Sequence, residues 1–313
     1  MSLTYIGEQI TLYAGSVLFI AGIFGNGMNI LIFSTVRNYR TIPTTFYFLS
    51  GSITNILYLL LLLTTRIVTA ANGIDLTRTS LAWCKTRPFF VGFLAPLCFT
   101  CSCLATIDQF FVTSHHANIR RLSNIKWAHR ILIISIIFWS IHGLFGPIFY
   151  EITSVRCTST NAIYAEYSVI YSIVIVCAIP ILIIGLFGLL TFRNIRQTIL
   201  LAEQRADQQL TKMILIQILL ILVSIAPYGI NNAYRLITAG VKKGTDQQVK
   251  EAFITTIVTL ISYLYYVVCL IFIVFFLSLI NSNLLFREVS IHSSCHQVDF
   301  VVKQINASAI VNA

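Results

Sequence analysis

Seven long apolar runs constrain this chain more than any other feature. They are Leu12–Val36, Thr44–Thr65, Cys84–Val112, Ile131–Tyr150, Tyr167–Phe192, Thr211–Ile237 and Ala252–Ile280. A bilayer core about 30 Å thick needs roughly 20 residues of helix at 1.5 Å per residue, and every run reaches that length. The runs are continuously apolar rather than alternating, which argues against a membrane β-barrel. Composition closes the soluble alternative: only 10% of residues are charged, against roughly 25% in ordinary soluble domains. Disordered chains are apolar-poor, and this chain is 57% hydrophobic. A net charge of +10 would suggest nucleic acid in a soluble protein. Beside seven apolar runs it points to loops against anionic membrane lipid, with no nucleic-acid partner.

The expected fold is therefore all-α, a seven-transmembrane helix bundle. Its parts are a short extracellular segment (1–11), the bundle (12–280) and a cytosolic amphipathic helix with a tail (281–313). Residues 1–11 hold one charge, Glu8, and no basic stretch, so the first run is expected to serve as an uncleaved anchor rather than a signal peptide. Pro88, Pro96, Pro147, Pro180 and Pro227 fall within runs, as membrane helices tolerate. Lys and Arg number 12 in the loops of one side and 9 in those of the other. That bias places the C-terminus in the cytosol and the N-terminus outside, in a multi-pass protein of the plasma membrane.

Five cysteines, Cys98, Cys101, Cys103, Cys177 and Cys269, lie within runs and read as small packing residues. No Cys/His spacing resembles a metal site, and no cofactor is expected. Cys84 opens the third run and Cys157 sits in the loop after the fourth, both on the face assigned to the outside, where disulfides are permitted. A bridge between them would pin that loop over the third helix. Cys295 follows a stretch with Leu285, Val289 and His292 at helical spacing. That stretch is compatible with an interfacial helix ending in a palmitoylated cysteine, or with an ordinary tail.

Several local motifs then share one order. Gly25-Asn26 lies in run one, LSGSITNIL with Asn55 in run two, and Trp83-Cys84 at the head of run three. Asp108-Gln109-Phe110 follows 24 residues after Cys84, about 36 Å along a helix. Trp139 stands in run four, Pro180 and Pro227 in runs five and six, and Phe286-Arg287 after run seven. In this order the chain resembles the rhodopsin-like G-protein-coupled receptors, with a looser similarity to invertebrate neuropeptide and orphan receptors. The resemblance implies a receptor that binds an extracellular ligand and signals through a heterotrimeric G protein. It assigns structural roles to Asn26, Asn55, Trp139, Pro180 and Pro227, and a G-protein-facing role to Asp108, Gln109 and Phe110.

The departures matter as much. Gln109 stands where the family has the Arg of Asp-Arg-Tyr, so the ionic contact of that Arg cannot form. Asn55 stands at the family's buried Asp and weakens the expected sodium pocket. Run six reads Ser224-Ile225-Ala226-Pro227 without the family's Trp, and Phe275–Leu279 occupies the place of Asn-Pro-x-x-Tyr.

Ligand chemistry is narrowed by residue type. No Asp lies two turns below Cys84, where amine receptors of the family carry one, which argues against a monoamine. Run seven has no Lys, which excludes a retinal Schiff base. Tyr228, Asn231, Asn232 and Arg235 recur at i, i+3, i+4 and i+7 and form one face of a helix, a candidate ligand surface that Arg66 and Tyr265 would face. Asn that glues helices, Tyr of an interfacial belt and snorkelling Arg would give the same pattern. The outer charges are mostly basic, which favours an acidic group on the ligand, with a peptide as the first candidate. Arg120 and Arg121 belong to a basic inner loop that either anchors the chain or meets the G protein. A transporter or channel is the alternative function, but such proteins carry intramembrane charge or repeated broken helices. An enzyme lacks any visible arrangement of catalytic residues.

Overall fold

Helix boundaries follow polar caps lying ahead of the apolar runs, so most helices outgrow the runs that define them. The structure, a computed structural model, describes residues 2–35, 41–153, 156–198 and 205–267. Its principal helices are α1 (Leu3–Thr35), α2 (Pro43–Asn72), α3 (Leu81–Thr113), α4 (Ile125–Phe149) and α5 (Ala162–Ile195), then α6 (Arg205–Ile237) and α7 (Thr245–Val267). The first five are long and apolar enough to cross a membrane. The expected amphipathic helix over 281–313, with Phe286-Arg287 and Cys295, lies outside the described residues, as does Phe275–Leu279.

Ser80 caps α3 by accepting from the Trp83 N–H, Asn124 caps α4 through Lys126, and Asn161 caps α5 through Ile163 and Tyr164. Each side-chain oxygen satisfies an amide the helix leaves orphaned. Pro43 sits in the first turn of α2, where its missing N–H costs nothing. At the other end of α2 comes Gly73 with φ of 66°, the left-handed conformation that closes helices and favours glycine. Helix α1 begins at Leu3, so most of the segment ahead of the first apolar run is continuous with it.

The described residues are overwhelmingly helical, as the expected bundle requires, with one short sheet added to it. Strands β1 (Tyr150–Thr153) and β2 (Arg156–Ser159) form an antiparallel hairpin between α4 and α5, with Ile152 opposite Cys157. Tyr150 thus leaves the helix that its run predicts. The hairpin is rich in β-branched residues, and its second strand is tied to α3 through Cys157.

Two helices carry wide π turns, at Leu59–Leu63 in α2 and Ser172–Ala178 in α5. The second has a local cause. Pro180 lacks an N–H and its ring crowds the carbonyl four residues earlier, and the wider turn just ahead of it relieves that crowding. Hydroxyls inside the apolar helices bond back to their own turn, as Thr11 does to the Gly7 carbonyl (2.8 Å) and Thr106 to that of Ser102 (2.9 Å). Polar side chains are thereby carried into an apolar medium with their donors satisfied.

Helix α3 is the central element, with 61% of its most apolar window buried, while α4 buries 17% and lies at the periphery. Ile134, Ile137, Phe138 and Ile141 of α4 are all more than half exposed. Such a face is an aggregation hazard in water and the natural exterior in lipid. Leu59, Leu63, Phe99, Ile184, Ile221, Ile225 and Tyr266 make the main core. The described residues fall in one compact unit, Met1–Leu270.

Helices α3 and α4 meet closely because a glycine leaves room. A Cβ on Gly146 would lie 2.8 Å from the Pro88 Cβ and 3.0 Å from the Phe89 nitrogen. Gly146→Val is expected to cost about 1–3 kcal/mol by overpacking and to lower the melting temperature by about 5 °C. Gly185→Val, where nothing lies within 4 Å, should leave it unchanged. A thermal assay of both variants in detergent checks this, and equal melting would sink the account of the α3–α4 contact.

Candidate functional site

The two ends of the bundle differ in chemistry, and a neutral polar seam runs between them. The Cys84 end is closed by a disulfide from Cys84 in α3 to Cys157 in β2, with Cα atoms 5.7 Å apart. Cys84 is fully buried, so the hairpin is fastened directly to the head of the central helix.

Beside that bridge lies a cavity of about 490 Å³, formed by α1, α2, the turn after it, α3 and α7. Its lining includes Thr11, Arg66, Trp83, Arg87, Phe253 and Thr256. Arg66 and Arg87 are half-buried, and both lie within electrostatic reach of Tyr263. Tyr228 is within the same reach of Tyr263 and of Tyr150. Arg66 and Tyr228 thus both act on Tyr263, but Tyr228 is not among the residues lining the cavity. The rest of that face is distributed differently. Asn231 donates to the Thr255 hydroxyl of α7 (3.3 Å). Asn232 is buried, with its amide N–H₂ unpartnered among the described residues, and Arg235 is exposed. Tyr265 sits in the core, hydrogen-bonded to Ser102 at 2.5 Å and stacked on Phe99.

Sequence reading missed Trp83, Phe253 and Thr256 as cavity walls. The i, i+4 spacing of Trp83 and Arg87 on α3 is the one available signal. Their convergence with α1 and α7 depends on packing and leaves no local trace.

A clasp joins α6 to α7 at the same end. Lys243 donates to Glu251 at 2.7 Å and to the Thr238 hydroxyl at 2.7 Å, and the Tyr234 hydroxyl donates to Glu251 at 3.0 Å. The hydrogen bond from Lys243 holds the Glu251 carboxyl below its ordinary value, with smaller contributions from Tyr234 and Gln247. A carboxyl lowered in the folded state contributes stability that is complete above its unfolded value. That contribution is lost as pH falls through the lowered one. The clasp should be fully held above about pH 4.5, the ordinary glutamate value, and should open only as pH falls through the lowered value beneath it. Hydrogen exchange over residues 238–251, compared with Glu251→Gln at each pH, is expected to differ at about pH 4.5 and above and to converge only below the lowered value.

The seam links α1, α2, α3 and α7. Asn26 is fully buried and donates to the carbonyls of Gly22 (2.8 Å) and Tyr266 (2.9 Å). Asn55 donates to the Asn26 oxygen at 3.0 Å and accepts from the Cys98 thiol at 2.7 Å. This geometry uses Asn55 as both donor and acceptor, which a carboxylate could not provide. Among the described residues no group of His, Cys, Asp and Glu could hold a metal ion.

At the opposite end, Thr44 of α2 donates to Asp108 of α3 at 2.5 Å, and the Ser123 side chain bonds the same carboxylate. Gln109 is 1% exposed, and its N–H₂ has no partner among the described residues. Phe110 packs edge-on against Phe187 of α5 at 5.5 Å. Arg120 donates to the carbonyls of Ser114 (2.9 Å) and His115 (3.1 Å), closing the end of α3, while Arg121 is exposed. Trp139 reaches Thr100 at 3.0 Å and fastens α4 to α3. Pro180 and Pro227 lie inside α5 and α6.

The family model described as 7 transmembrane receptor (rhodopsin family) matches residues 25–271. The match spans α2 to α7, the Cys84–Cys157 bridge and the Asp108-Gln109-Phe110 segment. No curated protein matches the chain.

Proposed function

Because the chain belongs to the rhodopsin family of seven-transmembrane receptors, we propose that it is a receptor for an extracellular peptide, bound at the Cys84 end. Membership makes it a G-protein-coupled, multi-pass receptor of the plasma membrane, with an extracellular ligand and a heterotrimeric G protein as partners, and not an enzyme. The Cys84 end then faces outward, where a disulfide persists. The C-terminus and the end bearing Asp108, Gln109, Phe110, Arg120 and Arg121 face the cytosol and the G protein.

The observation that carries the peptide is the mixed lining of the cavity. Threonine hydroxyls, two half-buried arginines, Trp83 and Phe253 share about 490 Å³. That mixture suits a backbone with varied side chains better than a uniformly apolar lipid or a compact amine, since of the two acids in the lining Asp75 is paired with Arg78 and Glu8 is exposed. Agonism requires the peptide to bind the signalling state more tightly than the resting one.

A peptide-library screen on cells expressing the chain with promiscuous G proteins tests this. A responding sequence whose potency falls tenfold or more with Thr256→Ala or Phe253→Ala supports the site. Responses confined to non-peptide compounds, in well-expressed cells, would overturn the peptide reading.

A further inference from the structure

The charges around the outer cavity are unevenly satisfied. Arg78 pairs with Asp75 at 3.4 Å, and Asp75 also accepts from the Thr77 amide and hydroxyl. Arg66 and Arg87 have no ion-pair or hydrogen-bond partner among the described residues, although both are half-buried. Trp83, on the same cavity wall, has a buried indole N–H with no acceptor there either. Glu8 is exposed at the rim and makes no ion pair among the described residues. Three arginines and two acids line the cavity, so its net charge is one positive.

A half-buried guanidinium without a counter-ion is partly stripped of water and uncompensated. Two of them within reach of one tyrosine, beside an unused N–H donor, form a site that lacks only its acceptor. We infer that the cavity takes a carboxylate-bearing ligand, the acid held by Arg66 and Arg87 with Trp83 as a further donor and its apolar body against Phe253. This rests on the reading of the cavity as the ligand site. The guanidinium fork matches a carboxylate in two parallel hydrogen bonds. The single net positive charge matches a monoanion and leaves a dianionic phosphate undercompensated.

The probe is benzoate against its neutral isostere benzamide, titrated onto the full chain in phosphatidylcholine nanodiscs and followed by ligand-observed NMR. Benzoate should bind at least tenfold more tightly than benzamide. Arg87→Gln and Arg66→Gln should each bring the ratio to within about threefold of one. Lys250→Gln, which breaks an exposed pair with Asp246, should leave the ratio unchanged. Equal binding of the two probes to the parent chain overturns the inference without any variant, as does a preference that survives both arginine substitutions. The experiment reads no signalling, so its failure is separable from failure of the receptor reading. In the peptide screen the source of the acid becomes visible. Potency lost on C-terminal amidation assigns the terminal carboxylate, and potency lost on Glu→Gln or Asp→Asn in the ligand assigns a side chain. A potent peptide indifferent to both removes the carboxylate.

Discussion

Cys84→Ser and Cys157→Ser are each expected to remove most of the receptor from the cell surface, and the double variant should do no further harm. The bridge spans 73 residues, and closing a loop of that length stabilises the folded state by about 4 kcal/mol in the chain-entropy account. It also fixes the hairpin to α3, because Cys157 lies in β2 opposite Ile152 and Cys84 is fully buried at the head of α3. Removing either sulfur leaves the other unpaired and frees the hairpin from the head of α3. Trp83 precedes Cys84 and lines the cavity at that end, so ligand response should fall more steeply than surface abundance. Surface labelling against total expression, with the response normalised to surface receptor, measures both. If the single variants traffic and respond like the parent, the bridge does not organise this end.

Much of the fold was legible because hydrocarbon imposes length and apolarity together. Each of the seven runs overlaps a helix among the described residues, five of these long and apolar enough to cross a membrane, and the distance from Cys84 to Asp108 separates the two ends. The boundaries were less legible, since Ser80, Asn124 and Asn161 extend helices into polar sequence by capping them. The hairpin was missed because its strands have four residues each, too few for an alternating pattern to stand out. At the site, spacing set Tyr228, Asn231, Asn232 and Arg235 on one helix face but could not tell Asn232, buried, from Arg235, exposed. Helical periodicity fixes an angle around an axis and says little about the neighbour met there. Tyr265 shows the same limit. Its hydroxyl reaches Ser102, 18 residues beyond Cys84 and so about 27 Å along α3, far from the cavity at the Cys84 end.

The second large effect is expected at Thr44. Its hydroxyl donates to Asp108, and Thr44, Asp108 and Gln109 are all buried, at 0%, 5% and 1% exposure. Gln109 cannot be touched by a G protein while it is covered, so this arrangement is an occluded one. In the family the Arg of this motif holds the resting state ionically. A neutral Gln cannot, and the α2–α3 hydrogen bond is left as the restraint. Thr44→Val keeps the shape and removes the donor, leaving a buried carboxylate with one partner fewer at a cost of about 1–3 kcal/mol. Each 1.4 kcal/mol is a factor of ten in population. Basal nucleotide exchange on the G protein should therefore rise about tenfold, and the melting temperature should fall by about 5 °C. Thr44→Ser retains the donor and should restore both. Exchange assays on purified receptor at matched concentration decide the matter. Equal basal rates for Val and Ser would mean that Ser123 and the Thr44 backbone N–H suffice to hold Asp108, and that the Thr44 hydroxyl does not gate the cytosolic end.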